Sequence, residues 1–353
     1  MNVRIVPPQQ IYKKPVDFFK IMAARLSKLP QLLDRKIYKT GQTRGADDDV
    51  IYQNRVARNS TVLIPYAFWK DNFNLPPNEK NFENGIIVLI SPNQYFETPE
   101  IIKELDSNKL KIGKNCLVFY ETRSQWIKYN PERLKWQPAK KRLLPLGGQY
   151  VARVPATTAV SGGGKIVRGF TTTSSKGAGI RVYEYASTVT NKACRDQLET
   201  LYWLCFDSEK VVVQNGMVVK DASLRKRHIL EVCAAQGLLD FKKLVKSRVI
   251  NEKHETICPL CLERLSGKGF FNRMQQAEGR EVPDLTVTEI NLFHIEELRT
   301  GLYNHRPYNL GWGHHHCNVV TKDAGIKETL KWMGNILKRN AERGYFNSAN
   351  RED

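Results

Sequence analysis

The stretch "YNLGWGHHHCNVV" at residues 308–320 sets three consecutive histidines and a cysteine, Cys317, between two asparagines, Asn309 and Asn318. Histidine and cysteine are ligands that zinc prefers in proteins. An asparagine amide can orient neighbouring backbone, and its oxygen can bind a hard cation. The stretch therefore carries residue types suited to a structural metal site and residue types suited to an active site.

A second metal-binding pair lies upstream of this stretch. The sequence "CPLC" supplies Cys258 and Cys261 with two residues between them, and His314 and Cys317 repeat that spacing. Two such pairs predict a closed, tetrahedral Cys3His zinc site, which would staple a small module whose own core is thin. Two neighbouring histidines are alternative ligands that lack the spacing, namely His315 and His316.

Apolar periodicity places the second pair between a strand and a helix. Residues 286–298, "TVTEINLFHIEEL", alternate as a strand does and end near His294. The residues after Cys317 have the spacing of an amphipathic helix. Over roughly residues 258–335 the pattern resembles the HNH, or ββα-metal, nuclease motif. In that motif a histidine ends the first strand, an asparagine follows, and a metal-binding pair opens the helix.

The resemblance implies a role for each matching residue in phosphodiester hydrolysis. His294 would be the general base that takes a proton from the attacking water. Asn309 would orient the loop and, through it, the histidine. Asn318 would bind the catalytic cation, expected to be Mg²⁺, through its amide oxygen. His305 is interpreted as a loop histidine, with phosphate contact as the alternative.

One position departs from the motif. The residue before the base is usually Asp or His and binds the catalytic metal, whereas this chain has Phe293, which cannot bind a cation. Glu296 would share the face of His294 if the strand continued, and it is the predicted replacement ligand. A further alternative is an HNH fold that has kept zinc and lost cleavage. Other candidates to replace the missing ligand of the catalytic metal are Glu297, His315 and His316.

The charge distribution indicates a polyanionic partner. The net charge is +19, yet residues 250–353 hold 14 Lys+Arg and 14 Asp+Glu, so the whole excess lies in residues 1–249. Six of the seven histidines lie in the neutral part. This division predicts a part that grips DNA and a part that carries the chemistry, and a merely soluble basic protein is the alternative.

Two basic segments are candidates for DNA contact. Segment 39–66, "KTGQTRGADDDVIYQNRVARNSTVLIPY", is similar to the N-terminal region of the BstXI group of restriction enzymes. Its arginines suit guanine edges, unless they pair with the acidic residues 47–49. The glycine-rich segment 157–179 is interpreted either as a linker or as a loop that contacts phosphates through backbone amides and basic side chains. The predicted DNA-binding residues are Arg44, Arg55, Arg58, Lys165, Arg168 and Lys322.

The expected fold class is α+β, with a basic mixed α/β recognition region followed by a zinc-stapled ββα-metal module. The predicted domains are a recognition region at 1–150, a basic loop and helical region for DNA grip or dimerisation at 151–249, and the nuclease module with its C-terminal helix at 250–353. Strands are predicted at 85–92, 115–122 and 181–187, and helices at 16–34, 191–206 and 222–247, the last broken near Gly237. Four isolated cysteines are predicted to be buried and reduced, namely Cys116, Cys194, Cys205 and Cys233.

Together these features predict a type II restriction endonuclease that cuts double-stranded DNA with a structural Zn²⁺ and a catalytic Mg²⁺. The resemblance implies a homodimer, with a cognate DNA methyltransferase as genetic partner. Without a membrane-length apolar run or a signal peptide, a cytoplasmic, prokaryotic location is expected. The alternatives are a modification-dependent or homing HNH endonuclease, and a non-catalytic zinc-containing DNA-binding protein.

Overall fold

The structure is a computed structural model of the 353-residue chain. It describes residues 26–39, 42–43, 56–70, 82–139, 145–154, 166–168, 180–272, 288–296, 303–322 and 324–345. Residues 16–25 of the helix predicted at 16–34 lie outside this description, and the described helix begins at Gln31.

Strands and helices are mixed along the described chain, which confirms the mixed α/β expectation. The strands are β1 (Gln42–Thr43), β2 (Val56–Ala57), β3 (Val62–Pro65), β4 (Ile86–Ile90), β5 (Cys116–Tyr120), β6 (Tyr150–Val154), β7 (Ile166–Arg168), β8 (Ile180–Arg181), β9 (Ile290–His294) and β10 (Leu310–His314). The helices are α1 (Gln31–Lys39), α2 (Tyr66–Lys70), α3 (Pro92–Glu97), α4 (Ile101–Ser107), α5 (Arg123–Lys128), α6 (Thr188–Trp203), α7 (Ser208–Gln214), α8 (Val219–Ala235), α9 (Phe241–Lys246), α10 (His315–Thr321) and α11 (Ile326–Glu342).

A six-stranded sheet forms the first layer, in the order β7-β6-β5-β4-β3-β8. Across the sheet, the neighbouring strands β6, β5, β4, β3 and β8 are parallel to one another. The edge strand β7 pairs antiparallel with β6. The continuous apolar runs of β4 and β5 fit a parallel sheet that is covered on both faces. The strands predicted at 85–92 and 115–122 are confirmed by β4 and β5.

The strand predicted at 181–187 is wrong beyond its first residue. Only Ile180–Arg181 pairs with β3, and the chain then turns into a 3-10 helix at Val182–Glu184. Val182 is buried against the sheet, so its apolar character serves packing in a helical turn and not strand pairing.

Different parts of the chain pack on the two faces of the sheet. Side chains alternate along the strands, so Val88 and Val118 face helices α4 and α5, while Ile87 and Leu117 face the opposite side. On that opposite side Tyr303, which lies between β9 and β10, packs against the sheet core. The connection between the two C-terminal strands therefore contacts the sheet layer.

The helices from α6 to α9 share one hydrophobic core with the C-terminal strands. Trp312 on β10 is buried, and its indole Nε1 donates to the carbonyl of Leu198 on α6 at 2.8 Å. The break predicted in the second long helix is confirmed, because α8 ends at Ala235 and Gly237 adopts a left-handed φ of +69°. The four isolated cysteines are free and buried, as predicted.

Strands β9 and β10 with helix α10 form a ββα unit. The strands pair antiparallel with His294 opposite Leu310 and His314 opposite Ile290. The backbone N–H of Ile326, which begins α11, donates to the carbonyl of Ile295 just after β9. The predicted domain ranges stay a prediction, and the core described above crosses the boundary at 249–250.

Within the described residues, the structure contains no helix long and apolar enough to cross a membrane.

Candidate functional site

Four potential metal ligands converge at one end of the ββα unit. One ligand atom from each of Cys258, Cys261, His314 and Cys317 lies within 4.8 Å of the other three. A zinc ion with bonds of about 2.3 Å to sulfur holds its ligand atoms roughly 3.8 Å apart. A small inward movement of these side chains would therefore close a tetrahedral site, so the residues fit a zinc ion.

A tight turn brings the first two ligands together. The backbone N–H of Leu262 donates to the carbonyl of Cys258 at 2.9 Å, and Leu262 adopts a left-handed φ of 64°. The N–H of Cys258 donates to the carbonyl of Glu263, which closes the turn on itself. The local backbone thus presents two thiols on the same side of a short loop, as a zinc knuckle requires.

Two glycines on β10 let this turn lie close to the strand. A Cβ on Gly311 would come within 2.7 Å of Val249, and a Cβ on Gly313 within 2.6 Å of the ring of Phe293. Real Cβ atoms do not approach neighbours so closely. The same added Cβ on Gly313 would lie 3.4 Å from the sulfur of Cys258. The two glycines of "GWG" are therefore required by the close approach of Val249 and Phe293, and they leave the turn in van der Waals contact with the strand.

The other two ligands come from the start of α10. His314 ends β10 and is the N-cap residue of the helix, and Cys317 is buried in the first turn. The ring nitrogen Nδ1 of His314 lies 3.3 Å from Sγ of Cys261. Burial alone would raise the pKa of the Cys258 thiol, but hydrogen bonds from His314 and from backbone N–H groups outweigh it and lower that pKa to about 6.

His294 ends β9 and is paired with a second histidine. Its Nε2 lies 3.3 Å from Nδ1 of His305, and the two rings are tilted by 54°. His294 is half-buried, whereas His305 is only 1% exposed. Desolvation by burial, reinforced by the cation of Arg58, lowers the pKa of His294 from its ordinary 6.5 to about 3. The same causes, joined by His294 and Arg195, lower the pKa of His305.

Asn309 holds the end of β9 against the connection that follows it. Its Oδ1 accepts from the backbone N–H of Glu296 at 2.8 Å, and its Nδ2 donates to the carbonyl of Asn304 at 2.6 Å. Its carbonyl accepts from the N–H of Ile295. Asn309 is 1% exposed, and its bond to Asn304 is buried. This placement is the geometry that a loop-orienting residue needs.

The buried Gln197 on α6 fixes the residue before Asn309. Its Oε1 accepts from the backbone N–H of Tyr308 at 2.7 Å, and its Nε2 donates to the carbonyl of Leu238 at 2.8 Å. Tyr308 adopts a left-handed φ of 64°, and its hydroxyl donates to the carbonyl of Gly237 at 2.6 Å. The helical layer therefore positions the turn that leads into β10.

The described residues do not assemble a divalent-cation site beside His294. Phe293 is fully buried in the core, and β9 ends at His294, so the strand alternation that would have aligned Glu296 does not continue. Glu296 is exposed and forms an ion pair with Arg306 at 2.8 Å. Asn318 lies half-buried on α10 and offers one amide oxygen. This donor set does not fit a Mg²⁺ ion, which requires several oxygen ligands.

The predicted DNA-binding residues are dispersed. Arg58 is 6% exposed, and its guanidinium donates to the carbonyl of Glu184 at 3.0 Å, so this placement does not support contact with base edges. Lys322 is exposed at the end of α10. Arg168 lies on β7, where only its backbone is described. Three further residues lie outside the described part of the chain: Arg44, Arg55 and Lys165.

Sequence reasoning missed the contact between His294 and His305. His305 lies in a connection without periodicity, so no pattern sets its register against β9. A second histidine between the two strands of a hairpin was the available signal, because such a residue can turn inward beside the strand end.

A known protein family matches most of the chain. The BstXI restriction endonuclease family matches residues 35–315, well over half of the chain. The chain belongs to that family. The matched range includes the sheet, the helical layer, both strands of the ββα unit and three of the four metal-ligand candidates, while Cys317 and Asn318 lie just beyond it.

One solved structure, described as the crystal structure of a type II restriction endonuclease, is 18% identical with a TM-score of 0.27. The match covers 44% of this chain, and the chain spans 57% of that protein's length. A TM-score this low supports no structural argument. No curated protein matches the chain.

Proposed function

We propose that this chain is a sequence-specific double-stranded DNA endonuclease of type II, with its cutting centre in the ββα unit at residues 288–322. The observation that carries the proposal is the placement of His294 at the end of β9, beside a connection anchored by the buried Asn309. Membership of the BstXI restriction endonuclease family supports the activity. The +19 charge supports a polyanionic substrate.

In this proposal His294 is the general base. Its lowered pKa keeps the imidazole neutral through the neutral pH range, so a lone pair is available to accept a proton from water. Bound DNA brings a phosphate anion towards the ring, and a nearby anion raises the pKa of an imidazole towards the range in which a base works well. Asn309 contributes by holding the start and the end of the connection that follows His294.

The metal-ligand cluster would hold a structural Zn²⁺. That ion, when bound, ties the turn at Cys258 to the start of α10 and so fixes the helix that carries Asn318. Its four positions are taken by protein ligands, which leaves none for substrate. Zinc in this proposal therefore supports the fold of the cutting centre and takes no part in hydrolysis.

A requirement for Mg²⁺ is retained only as a prediction from the resemblance to HNH nucleases, because the described residues beside His294 do not form a Mg²⁺ site. Restriction of DNA by a homodimer, with a cognate methyltransferase that protects the host, is the biological setting that the proposal implies. The dispersed basic residues of the first 249 positions would supply the grip on phosphates.

A cleavage assay tests the proposal directly. Unmethylated and methylated DNA are each incubated with the purified protein, with Mg²⁺ and with a chelator, and the fragment ends are sequenced. Discrete fragments that share one short motif are expected from unmethylated DNA with Mg²⁺. Fragments from methylated DNA alone would identify a modification-dependent nuclease instead, and a single long asymmetric site would identify a homing nuclease.

Two variants sharpen this assay. His294→Ala is expected to abolish cleavage while DNA binding and the melting temperature are retained, since the ring is half-buried at a strand end. His228→Ala is the matched control, because His228 lies on α8, outside the ββα unit. Cleavage by His294→Ala at the wild-type rate would remove His294 from the role of base.

A second candidate function follows from the metal-binding geometry. The burial of Phe293 and the ion pair of Glu296 with Arg306 favour a zinc-containing DNA-binding protein that does not cut. Tight DNA binding without cleavage under every metal condition would select this candidate.

A further inference from the structure

His305 occupies a position that packing alone does not explain. It is 1% exposed, and its Nδ1 lies 3.3 Å from Nε2 of His294. Its other ring nitrogen, Nε2, is buried without a hydrogen-bond partner among the described residues. Burying a polar nitrogen without a partner costs about 1–3 kcal/mol, and an apolar side chain would avoid that cost. The contact with His294 is therefore the feature that distinguishes this histidine from an ordinary core residue.

Hydrogen bonds and packing also fix the backbone around His305. The carbonyl of the preceding residue, Asn304, accepts from Nδ2 of Asn309 at 2.6 Å. The N–H of Asn309 donates to the carbonyl of Arg306, which closes the turn that follows. Tyr303 packs on the sheet core. Since each neighbour of His305 is anchored, the ring is presented to His294 in one position.

The protons on this pair decide whether His294 can act as a base. A neutral imidazole has one N–H donor and one acceptor nitrogen, so only one of the two facing nitrogens carries the shared proton. If Nε2–H of His294 donates to His305, the lone pair of His294 lies on Nδ1 and can accept a proton from water. If His305 Nδ1–H donates instead, Nε2 of His294 is the acceptor and the single proton of the neutral His294 ring lies on Nδ1. Nδ1 then has no lone pair with which to accept a proton from water.

The reaction itself favours the first arrangement. When Nδ1 of His294 takes the proton from water, both of its nitrogens become donors, and Nε2–H requires an acceptor. Nδ1 of His305 is the acceptor in reach. Burial of His305, reinforced by the cations of Arg58 and Arg195, opposes protonation of its ring and keeps it neutral and able to accept.

We infer that His305 is a positioning residue, whose Nδ1 accepts a hydrogen bond from Nε2–H of His294 and thereby holds His294 in the tautomer with its lone pair on Nδ1. The inference rests on the proposed function, because it assigns a task to His305 only if His294 is the base. His305 acts through His294 and contacts neither DNA nor water in this role.

Three substitutions at one position test the inference. An asparagine places its amide near the position of the imidazole Nδ1, whereas a glutamine places its amide near Nε2. His305→Asn can therefore keep the bond to His294, while His305→Gln and His305→Ala lose it. The expected result is a kcat lowered roughly 10- to 100-fold in the Ala and Gln variants, by analogy with the loss on removing the hydrogen-bond partner of a metal-binding histidine. KM is expected to stay at the wild-type value, and the Asn variant to recover most of the rate.

The control measurements separate positioning from folding. Melting temperature and DNA affinity are measured for all three variants, because a loss of fold would lower the rate without a specific pattern. Equal rates in the Asn, Gln and Ala variants would overturn the inference, whether those rates match wild type or fall together with the melting temperature.

A spectroscopic readout keeps the inference separate from the proposed function. Ring-nitrogen NMR of uniformly ¹⁵N-labelled protein reports which nitrogen of His294 carries the proton, whether or not the protein cuts DNA. The expected spectrum shows His294 protonated at Nε2 in wild type and in His305→Asn, and a mixture of tautomers in His305→Ala. A His294 protonated at Nδ1 in wild type would overturn the inference, whereas correct tautomers with no cleavage would overturn only the proposed function.

Discussion

The Oδ1 atom of Asn309 accepts a hydrogen bond at 2.8 Å from the backbone N–H of Glu296, two residues beyond the end of β9. This bond ties Asn309, which precedes β10, to the second residue after His294. The Asn309 side chain is buried, and its Nδ2 also donates to the carbonyl of Asn304 at 2.6 Å. The position of His294 therefore depends on an asparagine amide whose two ends bind opposite sides of the same connection.

Asn309→Ala should destabilise the protein by about 2–4 kcal/mol, because one donor and one acceptor of the backbone would lose their partners in a shielded site. Urea unfolding measures this change. Asn335→Ala, at an exposed position on α11, is the control and should change stability by less than about 0.5 kcal/mol. An Asn309 variant as stable as the control would show that this amide does not hold the connection.

Cys258→Ser should abolish zinc binding and lower the melting temperature, since three ligands remain and the buried turn loses its link to α10. Metal content by mass spectrometry and the melting temperature measure the two effects. Cys116→Ser is the matched control, because Cys116 is equally buried but belongs to the core of the sheet. That variant should retain one zinc per chain, and a zinc content unchanged in Cys258→Ser would remove Cys258 from the site.

Acid should destabilise the protein through the histidine pair. The pKa of His294 is lowered to about 3 in the folded protein, and that of His305 is lowered well below its ordinary 6.5. Below pH 6.5 each of these histidines binds a proton in the unfolded chain but not in the folded chain. The free energy of unfolding therefore decreases as the pH is lowered, by up to about 1.4 kcal/mol per pH unit for each histidine, until the folded pKa is reached.

Urea unfolding of wild type, His294→Asn and His228→Asn at pH 7 and pH 5 checks this expectation. Zinc ligands also take up protons in acid, so the informative quantity is the difference between variants and not the fall itself. His294→Asn should lose less stability than wild type between the two pH values, and His228→Asn should lose as much as wild type. Identical losses in all three proteins would contradict a His294 that stays neutral in the folded protein.

The sequence allowed the local elements around the site to be predicted, but not their environment. The x2 spacing of the Cys and His pairs and the alternation before His294 identified the metal-ligand cluster and β9, since both patterns are short in range. The parallel sheet and the partner of His294 depend on contacts between residues far apart in sequence, which periodicity does not report. Arg58 shows the same limit, because an arginine in a basic segment gives no sign that its side chain will be buried.

Gly313→Ala should weaken both stability and zinc binding, because the added Cβ would meet the ring of Phe293 at 2.6 Å and approach Sγ of Cys258. Phe293 is fully buried and cannot move away without disturbing its neighbours, so we expect a loss of about 1–3 kcal/mol and a weaker zinc affinity. Gly334→Ala is the matched control on α11, where an added Cβ meets nothing within 4 Å. In a helix interior that change should stabilise the protein by up to about 1 kcal/mol. Zinc titration with a competing chelator and urea unfolding measure both effects. Equal behaviour of the two variants would show that the ring of Phe293 does not lie against this glycine.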